Sequence, residues 1–282
     1  MRLIAPTAFK GTRTPLEAAH FLARPGDRLL PLSDGGDGFL ECLHHALGGA
    51  WRSVEAADPF GRRRAVPVLE LPDGTVALEC ARIVGLAGLD RLDPRTARSL
   101  GLAEALAQVI KAPRLWIGLG GSATVDGGLG WPPFDLSHAT AFCDVRTDLA
   151  DAAERFGPQK GARPEDIPEL QARLLDQGLP TGPRTGAAGG LGARLLFLGA
   201  TLVDGGEALL DELDFEGRCS ACSAVVTGEG RLDATTLEGK LPLVVARRAK
   251  RLGLPVQGRF GSRGPGWEAA AAAFDEVAFE VT

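Results

Sequence analysis

The sequence predicts an α/β protein with two domains: one is built around a parallel sheet from both chain ends, and the other is a mixed α/β domain inserted between them. Two observations carry this prediction. At both ends, short apolar strands alternate with glycine-rich polar loops and helices, the order that parallel strands with helical crossovers require. In the middle of the chain, apolar and polar residues alternate around a tight turn, as in antiparallel strands.

The N-terminal segment contains the strand–loop–helix order twice. Residues 3–5 form a short apolar strand, and a polar loop then leads to Thr14-Pro15-Leu16-Glu17, a capping box with proline at the first helical position. Residues 29–32 form a second strand, followed by the loop 33–38 and a helix that runs through Leu47. Both strands are therefore expected in one parallel sheet.

The C-terminal segment repeats this order. Residues 224–226 form a strand that leads into the loop 227–230, and residues 241–252 form an amphipathic, arginine-rich helix. A strand over 256–260, an alanine-rich helix over 268–274 and a strand over 277–281 follow. The two chain ends therefore look like parts of the same sheet.

The middle segment follows a different pattern. Residues 64–81 alternate around the turn Pro72-Asp73-Gly74, residues 100–110 form a helix, and residues 115–119 form a strand. We therefore expect residues 1–63 and 216–282 to form the discontinuous domain and residues 64–215 to form the inserted domain.

Composition argues against several classes of function. The 282 residues carry a net charge of −5, with no basic block and few aromatic side chains, so nucleic acid is not expected as a partner. No apolar run approaches the ~18 residues that span a bilayer, so no membrane partner is expected either. The odd number of cysteines, five, fits a reducing compartment, and we predict a cytoplasmic location. Cys219 and Cys222 have CxxC spacing, but without a second such pair we favour buried thiols over a metal or redox site.

Five glycine-rich polar loops are the candidate sites of chemistry; they span residues 7–13, 33–38, 120–128, 156–161 and 227–240. In a parallel sheet the loops after the strand ends converge on one crevice, and their glycines let backbone N–H groups approach an anion. The chain has only five lysines, and three of them, Lys10, Lys160 and Lys240, adjoin a glycine in these loops. A compact ammonium suits a phosphate group. Neither a Walker A motif nor a G-x-G-x-x-G motif after a strand is present.

Carboxylates also occur in these loops, as Asp34, Asp37, Asp126, Glu229 and Asp233. Beside phosphate-binding loops, a carboxylate suits Mg²⁺ or accepts the proton of an attacking hydroxyl. Purely structural roles stay open for some of these loop residues. Asp34 and Asp37 precede glycine, as turn residues do, and Ser122 and Thr124 are typical helix caps.

Seven motifs together resemble those of one known family. They are Ala5-Pro6 with Phe9-Lys10-Gly11; Asp34-Gly35-Gly36; Asp58-Pro59-Phe60-Gly61-Arg62; Gly120-Gly121-Ser122-Ala123-Thr124 with Asp126-Gly127-Gly128; Phe156-Gly157-Pro158-Gln159-Lys160-Gly161-Ala162; Gly186-Ala187-Ala188-Gly189-Gly190-Leu191-Gly192; and Thr227-Gly228-Glu229-Gly230-Arg231-Leu232-Asp233 with Gly239-Lys240. In content and order the set resembles bacterial glycerate kinases (glycerate 2-kinase, type I) over nearly the whole chain. The resemblance implies a Rossmann-like domain, ATP and Mg²⁺ as cosubstrates, and phosphorylation of glycerate, with 2-phosphoglycerate as the favoured product.

Several loops depart from the family pattern. Thr7-Ala8 stands where the family has Asp-Ser, Val125 where it has Asn, and Thr235 where it has Gln. Two further interpretations therefore stay open: a kinase for another small hydroxy acid or polyol, and a catalytically weak ligand-binding or regulatory relative.

The loops and the resemblance together select the candidate site residues. The expected catalytic residues are Lys10 and Lys240, on phosphates, and Asp34 and Asp126, which compete for the roles of Mg²⁺ ligand and base. Residues expected to bind substrate or phosphate are Gly11, Gly35, Gly36, Gly120, Gly121, Ser122, Thr124, Lys160, Thr227, Gly228, Glu229, Gly230 and Asp233. Backbone N–H groups of the 121–122 segment, with Lys160, are expected to meet the glycerate carboxylate. The active site is expected in the cleft between the two domains, and the chain is expected to act as a monomer or homodimer.

Overall fold

A computed structural model describes residues 1–280 of the chain. The described strands are β1 Leu3–Ile4, β2 Arg28–Leu29, β3 Ala50–Ala57, β4 Arg63–Glu70, β5 Val76–Glu79, β6 Leu115–Gly118, β7 Ala139–Cys143, β8 Thr201–Asp204, β9 Val225–Leu232, β10 Val256–Arg263 and β11 Glu276–Phe279. The helices are α1 Pro15–Leu22, α2 Phe39–Leu47, α3 Cys80–Val84, α4 Leu100–Val109, α5 Ala152–Phe156, α6 Ile167–Leu175, α7 Ala187–Phe197, α8 Gly205–Glu212, α9 Phe215–Cys219, α10 Leu241–Arg251 and α11 Trp267–Ala271. Short 3₁₀ turns cover Leu149–Asp151, Pro158–Lys160, Pro164–Asp166 and Ala234–Glu238.

The chain divides into two compact units. The first contains residues 1–33, 41–47 and 206–280, and the second contains residues 34–40 and 48–205. The predicted domain boundaries at 63/64 and 215/216 stay predictions; strand β3, which precedes the first of them, pairs in the sheet of the second unit.

The first unit holds a five-stranded sheet in the order β11-β10-β9-β1-β2, and every neighbouring pair is parallel. Strand β1 lies in its interior, where Leu3 and Ile4 are fully buried and pair with Val225 and Val226 of β9. A short, wholly apolar strand is typical of a parallel sheet that is covered on both faces. The predicted parallel sheet from both chain ends is confirmed.

Strand β9 is longer than predicted. The sequence places a loop at 227–230, whereas β9 continues to Leu232 and pairs with β10 as far as Arg263. The prediction of a loop over these residues is therefore wrong, because β10 offers a ladder of backbone partners that the local glycine pattern does not reveal. On the other side of the strand, the N–H of Thr7 donates to the carbonyl of Gly228.

Helix boundaries in the first unit follow local sequence signals. At α1 the Thr14 side chain accepts from the N–H of Glu17, and the Glu17 carboxylate accepts from the N–H of Thr14, so the predicted capping box is present. Helix α11 ends at Ala271, before the predicted end at Phe274. Strand β11 ends at Phe279, and the predicted last strand residue, Val281, lies outside the described residues.

The second unit holds a six-stranded mixed sheet in the order β3-β4-β5-β6-β7-β8. The β3–β4 and β4–β5 pairs are antiparallel, as the alternation and the 72–74 turn predict, and the remaining pairs are parallel. Helix α4 covers the β3 edge: its Glu104 and Gln108 side chains accept from the N–H groups of Ala57 and Glu55. The edge is thereby partly satisfied within the chain. The fold class, a parallel-sheet domain from both ends with an inserted mixed α/β domain, is confirmed.

Apolar burial accounts for the packing of both units. In the second unit, Leu102 and Leu106 of α4 lie in one buried cluster with Leu78 and Ile117 of the sheet. Their spacing of one helical turn keeps both side chains on the same face of the helix. In the first unit, Cys219 and Cys222 are buried free thiols, as predicted. None of the helices within residues 1–280 combines the length and the apolar composition of a membrane span.

Candidate active site

The loops 33–38 and 120–128 meet backbone to backbone in the second unit. The N–H of Gly120 donates to the carbonyl of Gly35 over 2.9 Å. A Cβ on Gly120 would overlap the Cα of Gly36, and a Cβ on Gly35, where φ is +102°, would overlap the carbonyl oxygen of Phe142. Glycine is required at both positions for this close approach. The Asp-Gly-Gly and Gly-Gly-Ser motifs therefore form one packed element.

A carboxylate that the sequence analysis missed anchors the end of the first of these loops. Glu79, the last residue of β5, accepts from the N–H of Gly38 over 3.2 Å and from the N–H of Leu40 over 3.1 Å. These donors lie at the start of α2, where backbone N–H groups have no partner within the helix. The sequence did contain a pattern that could have indicated Glu79 as a site residue, because this charged residue directly follows three apolar strand residues. We infer that this helix start is already occupied by a protein carboxylate.

Lys160 is buried and makes its hydrogen bonds to the protein. Its ammonium donates to the Oγ of Ser122 and to the carbonyl of Thr124, both over 2.8 Å. The side chain reaches these oxygens from the 3₁₀ turn Pro158–Lys160, and only 3% of the residue is exposed. Burial lowers the pKa of the Lys160 ammonium to about 8. Lys160 thus joins the FGPQKGA motif to the GGSAT motif.

Asp126 is fully buried and holds the start of helix α4. Its carboxylate accepts from the N–H of Ser99 over 2.7 Å, from the Oγ of Ser99 over 3.0 Å and from the N–H of Gly128 over 3.4 Å. Burial raises the pKa of the Asp126 carboxyl, and the hydrogen bonds from Ser99 oppose this effect. The carboxylate thereby ties the loop 120–128 to Ser99, the residue that precedes α4.

The second unit contains a further pair of acidic residues, Asp34 and Asp37. Asp34 is half-buried and Asp37 is exposed. One carboxylate oxygen of Asp37 lies close to Gly121: a Cβ added to that glycine would be 3.0 Å from the Oδ1 of Asp37. Within residues 1–280 no group of three or more His, Cys, Asp or Glu side chains is arranged to hold a metal ion. An exposed or half-buried carboxylate in a glycine loop still fits Mg²⁺, which takes one or two carboxylates together with substrate phosphates.

In the first unit, the loop 7–13 packs against strand β9. The Thr7 hydroxyl donates to the carbonyl of Gly228, and Thr227 donates through its hydroxyl to the carbonyl of Ala5. A Cβ on Gly230 would lie 3.0 Å from the backbone nitrogen of Lys10. The Lys10 side chain is exposed. This segment therefore places the backbone of Lys10 beside β9.

Lys240 lies between two carboxylates of the first unit. Its Nζ is 3.4 Å from Glu229 and 3.5 Å from Asp233. Burial raises the pKa of the Glu229 carboxyl, and the nearby ammonium of Lys240 opposes this effect. Asp233 has a lowered pKa, first because of the hydrogen bond from the Thr235 hydroxyl. These carboxylates offset the repulsion between the Lys240 ammonium and the positive end of α10, where Lys240 is the N-cap.

The structure brings the predicted site residues together in two clusters. The loop cluster of the second unit contains Asp34, Gly35, Gly36, Gly120, Gly121, Ser122, Thr124, Asp126 and Lys160, with Glu79 in addition. The strand cluster of the first unit contains Lys10, Gly11, Thr227, Gly228, Glu229, Gly230, Asp233 and Lys240. Each cluster combines at least one lysine with at least two carboxylates, although in the loop cluster Lys160, Asp126 and Glu79 are hydrogen-bonded within the protein.

Comparison with known proteins identifies the family. The family model described as "Glycerate kinase family" matches residues 2–132 and 134–281. The glycerate kinase of Halalkalibacterium halodurans is 31% identical over 95% of this chain and 87% of its own. The glycerate 2-kinase of Escherichia coli K12 is also 31% identical, over 92% of this chain and 84% of its own. A crystal structure of a protein assigned as glycerate kinase 2 from Salmonella typhimurium LT2 has a TM-score of 0.79 and 30% identity, and the match covers 98% of this chain and 89% of that one. The chain belongs to the glycerate kinase family.

Proposed function

We propose that the protein transfers the γ-phosphoryl group of ATP to a hydroxyl of glycerate, with 2-phosphoglycerate as the product. The observation that carries the proposal is the family match, which spans both sheets and every site motif. Relatives named glycerate kinase and glycerate 2-kinase are 31% identical to the chain over the aligned positions. ATP is the phosphoryl donor that the kinase family implies.

The strand cluster is proposed to hold the phosphates of ATP. Lys10 is exposed beside β9, and Lys240 stands at the start of α10, where free N–H groups and the helix dipole favour an anion. Lys240 is 35% exposed, so a phosphate oxygen could replace one of its carboxylate partners. The backbone around the Lys10 and Lys240 side chains would be supplied by Gly11, Thr227, Gly228 and Gly230.

Mg²⁺ is proposed to bind at Asp34. The ion would neutralise charge that develops on the phosphoryl oxygens during transfer. Of the two carboxylates that the sequence analysis selected, Asp34 is half-buried, whereas Asp126 has no exposed surface and its oxygens accept three hydrogen bonds. The geometry therefore favours Asp34 as the metal ligand, and Asp126 as a residue that holds the loop.

The glycerate carboxylate is proposed to meet the backbone N–H groups of Gly121 and Ser122. Gly121 is exposed and lies in the left-handed region, with φ of +69°. Lys160, which the sequence analysis placed on the substrate, instead acts through the Ser122 hydroxyl in this proposal.

One departure from the family pattern has a structural explanation. Val125, which replaces a polar residue of the family, is fully buried with Leu149 and Leu174 in an apolar cluster. The substitution therefore does not change an exposed, substrate-facing group. No observation specifically favours another acceptor or a regulatory role over glycerate phosphorylation. A cytoplasmic location, on the odd number of cysteines, completes the proposal, and the monomer or homodimer stays a prediction.

A coupled ADP-release assay tests this function. It compares glycerate with other small hydroxy acids and polyols, with a no-acceptor control, and ³¹P NMR identifies the phosphorylated hydroxyl. We expect release of ADP that depends on both glycerate and Mg²⁺, and a resonance of 2-phosphoglycerate. ATP with Mg²⁺ should also raise Tm, because a ligand of the native state stabilises it by mass action. ADP release without an acceptor requirement, or none with any acceptor, would contradict the proposal.

A further inference from the structure

Glu79 makes contacts that differ from those of an ordinary surface carboxylate. Only 2% of its side chain is exposed, and its two oxygens accept from two different backbone N–H groups of the chain that begins α2. The Nε of Arg82 lies 3.5 Å from one of these oxygens and supplies a compensating charge. A carboxylate at a helix start is stabilised by the free N–H groups and by the helix dipole. Glu79 therefore fixes the point where the loop 33–38 becomes helix.

The same loop is fixed at two further points. The carbonyl of Gly35 accepts from the N–H of Gly120, and the ring of Phe39, the first residue of α2, packs 5.1 Å from the ring of Phe142. Glu79 supplies the third point, between Gly38 and Leu40. Asp34 lies at the start of this loop, so its position depends on how firmly the residues after it are held.

We propose that Glu79 is a positioning residue for phosphoryl transfer: it anchors the Asp34–Gly38 loop so that the Asp34 carboxylate is held where it meets the metal. This inference rests on the proposed function. Glu79 does not need to contact substrate, because both of its oxygens are already used by backbone donors. Its loss would let the loop sample other positions, and misplacement by about 1 Å is enough to slow a reaction by about a hundredfold.

The test compares Glu79→Ala, Glu79→Gln and a matched control. In Glu79→Ala both N–H groups lose their acceptor, whereas the glutamine of Glu79→Gln can still accept from one of them. The control is Glu104→Gln, since the Glu104 carboxylate also accepts from a backbone N–H, that of Ala57, and pairs with an arginine, Arg63. Steady-state kinetics are measured with glycerate and MgATP, together with Tm and hydrogen exchange of the peptides that cover residues 34–40.

We expect kcat to fall at least tenfold in Glu79→Ala and by an intermediate factor in Glu79→Gln, with KM for ATP changed less than threefold. Exchange over 34–40 should become at least tenfold faster in Glu79→Ala, and it should stay unchanged in Glu104→Gln, which keeps the wild-type kcat. Wild-type kcat in both Glu79 variants would overturn the proposal. So would activity that falls only when Tm drops below the assay temperature, or unchanged exchange over 34–40. If the wild-type chain proves inactive on every acceptor, the proposed function fails, while the exchange result still decides whether Glu79 anchors the loop.

Discussion

The Lys160 ammonium donates to the Ser122 hydroxyl over 2.8 Å, so two motifs that are separated by 38 positions in the chain share one buried hydrogen bond. The neighbouring carbonyl of Thr124 accepts the second bond. Burial of a lysine is unfavourable to its charged form, because the ammonium loses hydration. This loss lowers the pKa of Lys160 to about 8. The stability of the protein should therefore depend on pH in a way that reports on Lys160.

The first prediction concerns this pH dependence. In the unfolded chain Lys160 keeps its proton up to about pH 10.5, whereas in the folded chain it releases the proton near pH 8. Between these values the unfolded state binds more protons, so the contribution of Lys160 to the free energy of unfolding rises with pH. From about pH 7.5 to about 9.5, wild type should gain about 2 kcal/mol relative to Lys160→Met in urea unfolding.

Lys111→Met is the control for this measurement, because Lys111 is exposed. The remaining titratable groups are shared by the wild type and both variants, so they cancel in the differences. The same pH slope in Lys160→Met and in wild type would show that the ammonium is not buried in solution.

The second prediction concerns Asp126. In Asp126→Ala, the N–H and the hydroxyl of Ser99 lose their buried acceptor, which should lower the free energy of unfolding by about 1–3 kcal/mol. Asp126→Asn should lose less, since an amide oxygen can still accept from the Ser99 N–H. Urea denaturation measures both. A variant Asp126→Ala with wild-type stability and strongly reduced kcat would instead make Asp126 a catalytic or metal-binding group.

The third prediction separates backbone strain from steric overlap at two glycines. Gly35 and Gly61 have similar positive φ values, +102° and +87°, but a Cβ meets the carbonyl oxygen of Phe142 only at Gly35. Gly61→Ala should cost about 1–2 kcal/mol of stability, the usual penalty of an L-residue in this region. Gly35→Ala should cost about 1–3 kcal/mol more because the loop must also move, and it should lower kcat. Equal Tm losses in the two variants would argue against the close packing of the loop 33–38.

The sequence predicts the two sheets well because their signals are local. The capping box at Thr14 and the alternation around Pro72-Asp73-Gly74 each determine nearby backbone, and both are confirmed. The continuation of β9 through Thr227 to Leu232 is not predictable in this way, because its ladder comes from β10, which is distant in sequence.

The same limit applies to the candidate site. Motifs select the loops, but they do not say whether a charged side chain faces a ligand or the protein itself. Lys160 and Asp126 both find partners far along the chain, at Ser122 and Ser99, and Glu79 lies outside every glycine loop. Polar groups that are buried must be paired, and only the three-dimensional structure shows which residues supply the partners.

The last prediction concerns Lys240. Its side chain is 35% exposed, and its ammonium lies between Glu229 and Asp233 at the start of α10, a position where a cation without anionic partners would be unfavourable. If it holds an ATP phosphate, Lys240→Ala should lower kcat/KM at least tenfold, equivalent to about 1.4 kcal/mol of transition-state stabilisation. The structure adds a consequence for stability. Without the ammonium the pKa of the Glu229 carboxyl should rise further, so the free energy of unfolding of the variant should fall more steeply than that of wild type as the pH rises above the ordinary glutamate value of 4.5.

Lys250→Ala is the matched control, because Lys250 lies in the same unit and pairs with Asp275 over 3.3 Å, outside the strand cluster. It should keep the wild-type kcat/KM. The two effects of Lys240→Ala can be separated by measuring kcat/KM and urea unfolding together at decreasing pH, because protonation of Glu229 removes its uncompensated charge and restores stability. A catalytic loss that persists at the lower pH belongs to the missing phosphate contact. If activity returns together with stability, Lys240 serves only to neutralise Glu229 and Asp233. The proposal that it binds a phosphate of ATP would then be wrong.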